Sequence, residues 1–310
     1  MNGLQARHHD YVMGPNQDSR LSSVAAGATI EGIELQLDSD APFLLCGRAL
    51  RQSYSTSLTQ PDLAGLKTRW TGPSRNYKQQ DFVLESLQMA NYGQAGNPKP
   101  TAPPVSYPAS STIRLDLINT GSSSISNLTF YWRGVKLFPP GSVPSYTYPR
   151  RFSSNYFEYP LPILHLGFAE TRLNQLFTVK TDADFVLRAA QSNVPFIIAG
   201  SESPSRIAGD VFFRLRDHTK NPYSNDFVAF DVLFGSADYQ ARFPAGNSFV
   251  NPFGVGPTSP GLWCPEIYVP ANQQLWYDVQ RTDGPGDGMD VQNQAEDALV
   301  NFIGAKVYPK

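Results

Sequence analysis

The chain has 310 residues, a formal charge of −2, 17% charged residues, 12% aromatics, 26 Pro and 24 Gly. That charge balance excludes a large electrostatic attraction to nucleic acid, and the length allows two domains that each bury a core. A charged fraction below the usual ~25%, with abundant turn formers and aromatics, indicates an all-β protein with many connecting segments.

Residues 1–28 are polar and rich in Gly, Ser and Ala, without a sustained period, and are expected to form an extended N-terminal arm. His8-His9-Asp10 within it lacks the further ligands a metal site needs. No apolar core of a secretion signal occurs near Met1, so a soluble protein made without export is expected. The first β-sandwich is assigned to residues 29–139. Ile33-x-Leu35-x-Leu37, Leu66-x-Thr68-x-Trp70, Ile113-x-Leu115-x-Leu117 and Leu128-x-Phe130-x-Trp132 alternate as half-buried strands, Phe43–Cys46 is a continuous apolar run, and Asp81–Met89 is a further strand. Asn91–Pro108 is expected to be a long Pro/Gly connection.

Residues 140–166 are assigned to a Pro- and aromatic-rich strap joining the two sandwiches. Its Tyr146, Tyr148, Arg150, Arg151, Phe152, Tyr156, Phe157 and Tyr159 are the candidate interface, because Tyr, Phe and Arg concentrate in interface cores. The second sandwich, residues 167–310, repeats the grammar of the first. Phe185-Val-Leu187, Val194–Ala199, Val211-x-Phe213-x-Leu215, Phe227–Phe234, Leu275-x-Tyr277-x-Val279 and Ala298-x-Val300-x-Phe302 read as its strands, and Ala237–Pro260 as a long connection.

The two halves also match residue for residue. Tyr131-Trp-Arg-Gly-Val-Lys-Leu-Phe-Pro139 resembles Asn301-Phe-Ile-Gly-Ala-Lys-Val-Tyr-Pro309. Pro108-Ala109 and Asp116 correspond to Pro270-Ala271 and Asp278. Arg69, Asn76 and Asp81-Phe82-Val83 correspond to Arg214, Asn221 and Asp226-Phe227-Val228, and Asp40-Ala41-x-Phe43-x-Leu45 to Asp182-Ala183-x-Phe185-x-Leu187. The order is kept throughout, and the offset changes only in turn-rich stretches, which indicates an internal duplication. Short strands with turn chemistry between them point to two tandem antiparallel β-sandwiches, jelly-roll-like by their strand number and uneven connections. Strand number alone does not separate this from an immunoglobulin-like sandwich, whose Cys…Trp…Cys pattern is absent.

No set of residues announces catalysis. The chain lacks a nucleophile elbow, a Walker loop, an H-E-x-x-H helix and a C-x-x-C pair, so no catalytic residues, cofactor or metal are expected. The shared Arg69/Arg214 and Asp81/Asp226 are expected to hold a loop within each sandwich by ion pairs or backbone hydrogen bonds. Asp283, Asp287 and Asp290 lie in a Gly-rich stretch but lack the spacing of a calcium loop, and are read as a solvated hairpin tip. Cys46 and Cys264 fall at non-equivalent places and are expected to be free thiols, as in a reducing cytoplasm.

Carried by the D-A-x-F-x-L strand, the N-x-x-x-x-D-F-V segment and the closing hairpin ending G-x-K, the chain resembles duplicated jelly-roll or β-sandwich virion structural proteins of bacteriophages, from neck, collar or head surface. Double jelly-roll major capsid proteins are the second relative. The resemblance implies a non-enzymatic protein assembled in multiple copies with itself and other virion proteins, formed in the host cytoplasm, with no direct contact to nucleic acid or membrane. A receptor- or glycan-binding tail protein is the alternative.

Overall fold

The computed structural model describes residues 4–52, 65–74, 78, 81–84, 99–141, 152–167, 169–192, 211–229, 233, 235–236, 261–282 and 296–309. The described residues fall into two compact units, one made of those up to Gly141 and the other of those from Phe152 onward. Each is an antiparallel β-sandwich, and the all-β expectation holds.

The first unit contains β1 (Gln5–Met13), β2 (Thr29–Gln36), β3 (Phe43–Gln52), β4 (Leu66–Trp70), β5 (Val83–Leu84), β6 (Lys99–Tyr107), β7 (Thr112–Asn119) and β8 (Leu128–Phe138). One sheet has the order β1-β8-β3-β6 and the other β2-β7-β4-β5. The second unit contains β9 (Phe152–Leu166), β10 (Thr171–Thr178), β11 (Asp184–Ser192), β12 (Val211–Arg216), β13 (Val228–Ala229), β14 (Gly261–Val269), β15 (Gln274–Arg281) and β16 (Glu296–Pro309). Its sheets run β9-β16-β11-β14 and β10-β15-β12-β13, so each strand of the first unit has its counterpart eight labels on. In the second unit Gly235–Ser236 also pairs with the end of β11, in parallel, so that sheet has five strands. Two facing sheets of these orders, whose neighbours in space are distant in sequence, define the jelly-roll arrangement.

Alternation places the core. Tyr11, Met13, Phe43, Leu45, Phe130 and Trp132 of one sheet meet Ile33, Leu35, Leu66, Trp70, Ile113, Leu115 and Leu117 of the other, all essentially without solvent exposure. In the second unit Tyr159, Phe185, Leu187 and Phe302 are buried alongside Phe213, Leu215, Leu275, Tyr277 and Val279.

Three sequence expectations change. Residues 1–28 are not an extended arm: Gln5–Met13 pairs along its whole length with β8, from Gln5 opposite Phe138 to Met13 opposite Phe130. The residues His8, His9, Asp10, Tyr11, Val12 and Met13 are all buried, so the strand is core rather than appendage. Nor is 140–166 one strap, since Phe152–Leu166 is the first strand of the second sandwich, paired with β16 from Phe152 opposite Pro309 onward. Pro160 and Pro162 are accommodated because β9 lies at the sheet edge, where a missing backbone donor costs no ladder bond. Finally, Lys99–Tyr107 within the expected connection is strand β6. Of Asp81–Met89 only Val83–Leu84 is described as strand, and the Val194–Ala199 and Ala237–Pro260 assignments lie outside the described residues.

Candidate functional site

The residues that the two halves share converge on two places in each sandwich. The first is a carboxylate on the outward side of the β2-β7-β4-β5 sheet. Ile113, Leu115 and Leu117 of β7 face the core, so Asp116 projects the other way, yet it is completely buried. Arg69 Nε donates to Asp116 Oδ2 at 3.0 Å, Arg114 Nε to Oδ1 at 3.2 Å and the Gly32 amide to Oδ1 at 2.7 Å. Gly32 sits at a register shift in β2 with φ +68°, where the bulge turns its N–H out of the ladder and toward the carboxylate.

The second sandwich builds the same clamp on Asp278. Arg214 Nε donates at 2.9 Å, Arg216 Nε at 3.1 Å, and the Asn174 amide at 2.8 Å. Asn174 stands at the matching register shift of β10 with φ +56°; Asn is the side-chain-bearing residue that tolerates this region best. Burial would raise the Asp278 carboxyl, but the bonds from Arg216, Asn174 and Arg214 outweigh it and hold it below the ordinary carboxylate range. The Arg69 guanidinium lies over the Phe82 ring at 4.5 Å, and Arg214 over Phe227 at 4.8 Å. Asp81 and Asp226 each accept from the following backbone amide, Phe82 or Phe227, at 2.7 Å. These arginines thus pair with Asp116 and Asp278, and Asp81 and Asp226 tether the segment that carries the stacked ring.

The second place explains the G-x-K endings. A Cβ on Gly134 would stand 2.2 Å from the Leu44 carbonyl oxygen, and one on Gly304 1.9 Å from that of Val186, with the Phe43 or Phe185 ring close by. Two residues on, Lys136 Nζ reaches Asp38 at 2.5 Å and Asp40 at 3.0 Å, and Lys306 Nζ reaches Asp182 at 2.5 Å. Both lysines are buried at the stem with the ammonium beside half-exposed carboxylates. Tyr11 and Tyr159 complete the arrangement: each ring meets Phe43 or Phe185 edge-on, at 4.9 and 4.8 Å between centroids, and each hydroxyl accepts from the amide of Asp38 or Lys180.

One charged set belongs to the first sandwich alone. Arg133 donates to both Asp10 oxygens, at 2.9 and 3.1 Å, and His8 Nε2 lies 3.2 Å from Asp10, all three buried. The residue in the Asp10 position of the second sandwich, Glu158, is exposed and bonds Tyr156 and Asn301.

The expected interface residues do not share one environment. Tyr146, Tyr148, Arg150 and Arg151 lie outside the described residues, and so does the side chain of Phe152, whose backbone belongs to β9. Tyr159 is a core residue at 5% exposure, which removes it from any surface, and Phe157 is half-buried against it. Tyr156 is 70% exposed and heads an outward strip on β9 that continues through Glu158, Pro160 and Pro162 to Leu164, 52% exposed. Asp283, Asp287 and Asp290 lie outside the described residues; among the described residues no group of three or more metal-ligating side chains converges. Cys46 is not in a disulfide, and its thiol donates to the Leu44 carbonyl at 3.4 Å; the side chain of Cys264 lies outside the description. No helix among the described residues is long and apolar enough to cross a membrane.

Sequence reasoning missed Tyr11, Gly32 and Asn174, and placed His9 on a solvated arm rather than in a strand. A usable signal existed for Tyr11 and His9: His9-Asp10-Tyr11 and Phe157-Glu158-Tyr159 share an aromatic ring, an acid and a tyrosine, and occupy equivalent registers opposite Gly134 and Gly304.

No family model and no curated protein sequence matches the chain. Among solved structures it is similar to the peptide-N(4)-(N-acetyl-β-D-glucosaminyl)asparagine amidase, at 10% identity over 97% of this chain and 96% of that one, with a TM-score of 0.22. It is also similar to a chain of Sulfolobus turreted icosahedral virus, at 11% identity over 96% and 91% with a TM-score of 0.24. A third is the major capsid protein of bacteriophage PM2, at 11% identity over 99% of both chains and a TM-score of 0.24. The weak structural neighbours thus include a viral capsid protein, and scores this low assign no role or activity to the chain.

Proposed function

We propose that this chain is a non-enzymatic structural subunit of a virion, assembled in multiple copies with itself and other virion proteins. Neck or collar, head decoration and capsid of a bacteriophage are the positions in the particle this reading covers, with assembly in the host cytoplasm. The observation that carries it is the repeated use of charge. In both sandwiches the shared Asp, Arg and Lys side chains join strands to one another, and each carboxylate clamp is closed by its own arginines and a backbone amide. Groups tied down in this way make a rigid block and present no poised acid, base or nucleophile. Such a block has to act through its surface, and the strip from Tyr156 to Leu164 offers apolar side chains on an edge strand.

The test is the mass of the purified full-length chain by light scattering over a range of concentrations, with electron microscopy of the product. A closed oligomer or particle-like assembly is expected. A monomer at every concentration that also fails to join purified particles of its source would overturn the reading.

A further inference from the structure

His9 occupies, in the first sandwich, the place that Phe157 fills in the second. Both lie two residues before the core tyrosine and opposite the glycine that the two halves share, His9 across from Gly134 and Phe157 across from Gly304. Both rings meet that tyrosine edge-on, at 4.5 Å for His9 with Tyr11 and 4.8 Å for Phe157 with Tyr159. The neighbouring lysine is also shared. Lys306 Nζ lies 4.0 Å from the centre of the Phe157 ring, which a cation over an apolar aromatic face favours. In the first sandwich Lys136 comes down at the same register position, but beside an imidazole that can itself become positive.

We infer that His9 is an acid-sensitive latch on the first sandwich: protonating its imidazole loosens strand β1 from β8, while the second sandwich, with Phe157 in that place, stays closed.

The surroundings leave an imidazolium poorly served. His9 is 2% exposed, and its Nε2 has no hydrogen-bond partner among the described residues. The groups facing it are Lys136 from β8, Asp38 and Asp40 from the segment after β2, the Tyr11 hydroxyl, and Arg7, His8 and Asp10 on its own strand. Phe43, from β3, brings no charge. Asp38 stands 3.7 Å from Nε2, yet it is 46% exposed and already holds the Lys136 ammonium at 2.5 Å. Asp40 is held by the same lysine, and Asp10 is taken by Arg133. Protonation therefore adds a buried cation next to an existing one, with each nearby carboxylate already paired.

Burial first, and then Lys136, hold the imidazole well below its ordinary value of 6.5. For a base depressed by folding, the unfolded chain binds more protons in the interval between the two values. The stability that neutral His9 permits is thus whole above about pH 6.5 and falls as the pH drops toward the folded value. Strand β1 is the one that yields, because it lies at the sheet edge and its backbone pairs, among the described residues, with β8 alone.

Hydrogen exchange read by mass spectrometry on the full chain tests this, at about pH 7.5 and about pH 5.5 after correction for intrinsic rates. The opening constant of the β1 peptide is expected to rise by up to roughly tenfold per pH unit below the unfolded value, with β9 unchanged. His9→Phe should abolish the rise, and Phe157→His should transfer one to β9. A rise that persists in His9→Phe overturns the inference. A direct NMR titration of wild-type His9 needs no variant to fold: a midpoint well below about 6.5 supports the latch, and one at or above it overturns it.

Discussion

Arg114 and Arg216 serve equivalent carboxylates from opposite strands. Arg114 lies on β7 itself, two residues before Asp116, and its amide donates to Thr71 Oγ1 across the strand gap. Arg216 lies on β12, in the place of Thr71, and faces Trp276, which stands in the place of Arg114. The charge has crossed the ladder while the clamp it closes has stayed, so the geometry around the carboxylate is kept although neither position keeps its residue type.

Removing the carboxylate should be costly and confined to one sandwich. Asp116→Ala leaves Arg69 and Arg114 without their shared anion, and Asp278→Ala does the same to Arg214 and Arg216. Each is expected to destabilise its own unit by about 3–5 kcal/mol, as measured by limited proteolysis along a denaturant series. Arg114→Ala should cost less, about 1 kcal/mol, because that side chain is 42% exposed.

Acid should act on the second clamp in a lower pH window than on His9. Asp278 is held below its ordinary value, so the stability it gives is present above about pH 4 and is lost as the pH falls toward the folded value. Thermal scans between about pH 5 and pH 2 should show the second unit weakening, and Asp278→Asn should flatten that slope. A variant whose slope matches wild type would place the acid sensitivity elsewhere.

Gly134→Ala and Gly304→Ala should each destabilise by at least about 1–3 kcal/mol, since the added methyl group meets a backbone carbonyl of the neighbouring strand and an aromatic ring. Chemical denaturation of each variant measures it. The loss should exceed that of Gly141→Ser, where open space surrounds the added atom, although φ +80° there still carries its own strain.

Lys136→Met should raise the titration midpoint of His9, because the largest of the neighbouring positive charges that depress it is removed while burial stays. Proton NMR of the imidazole reads this directly. No upward shift would mean that the Lys136 charge does not contribute to the depression.

Tyr156→Ser should leave stability nearly unchanged and weaken self-association at least several-fold in sedimentation velocity, if β9 presents the contact surface. Its side chain is 70% exposed, so little folding energy rests on it.

The alternation in β2, β4 and β7 was legible because their apolar residues fall on one face and the period of two survives in the residue order. The internal matches were legible for a related reason. Asp116, Asp278, Gly134, Gly304, Lys136 and Lys306 each answer to a constraint that only one residue type meets, so the same letters stand in both halves. Strand β1 was hidden because its outward face carries His8 and Asp10, polar residues that read as a solvated arm until Arg133 is brought against them from 123 positions away. The Tyr159 misassignment has the same origin: an aromatic in a proline-rich stretch looks like surface until β16 pairs beside it.

By itself, then, the order of residues determined an all-β chain with two matched halves, since burial periodicity and irreplaceable positions are local properties. The tertiary structure decided which strand neighbours which, that the N-terminal segment belongs to the core, and that Arg69 meets Asp116 rather than Asp81. Those outcomes depend on residues far apart in sequence, and hydrogen bonds from a bulged backbone, such as those of Gly32 and Asn174, exist only once the sheets have closed.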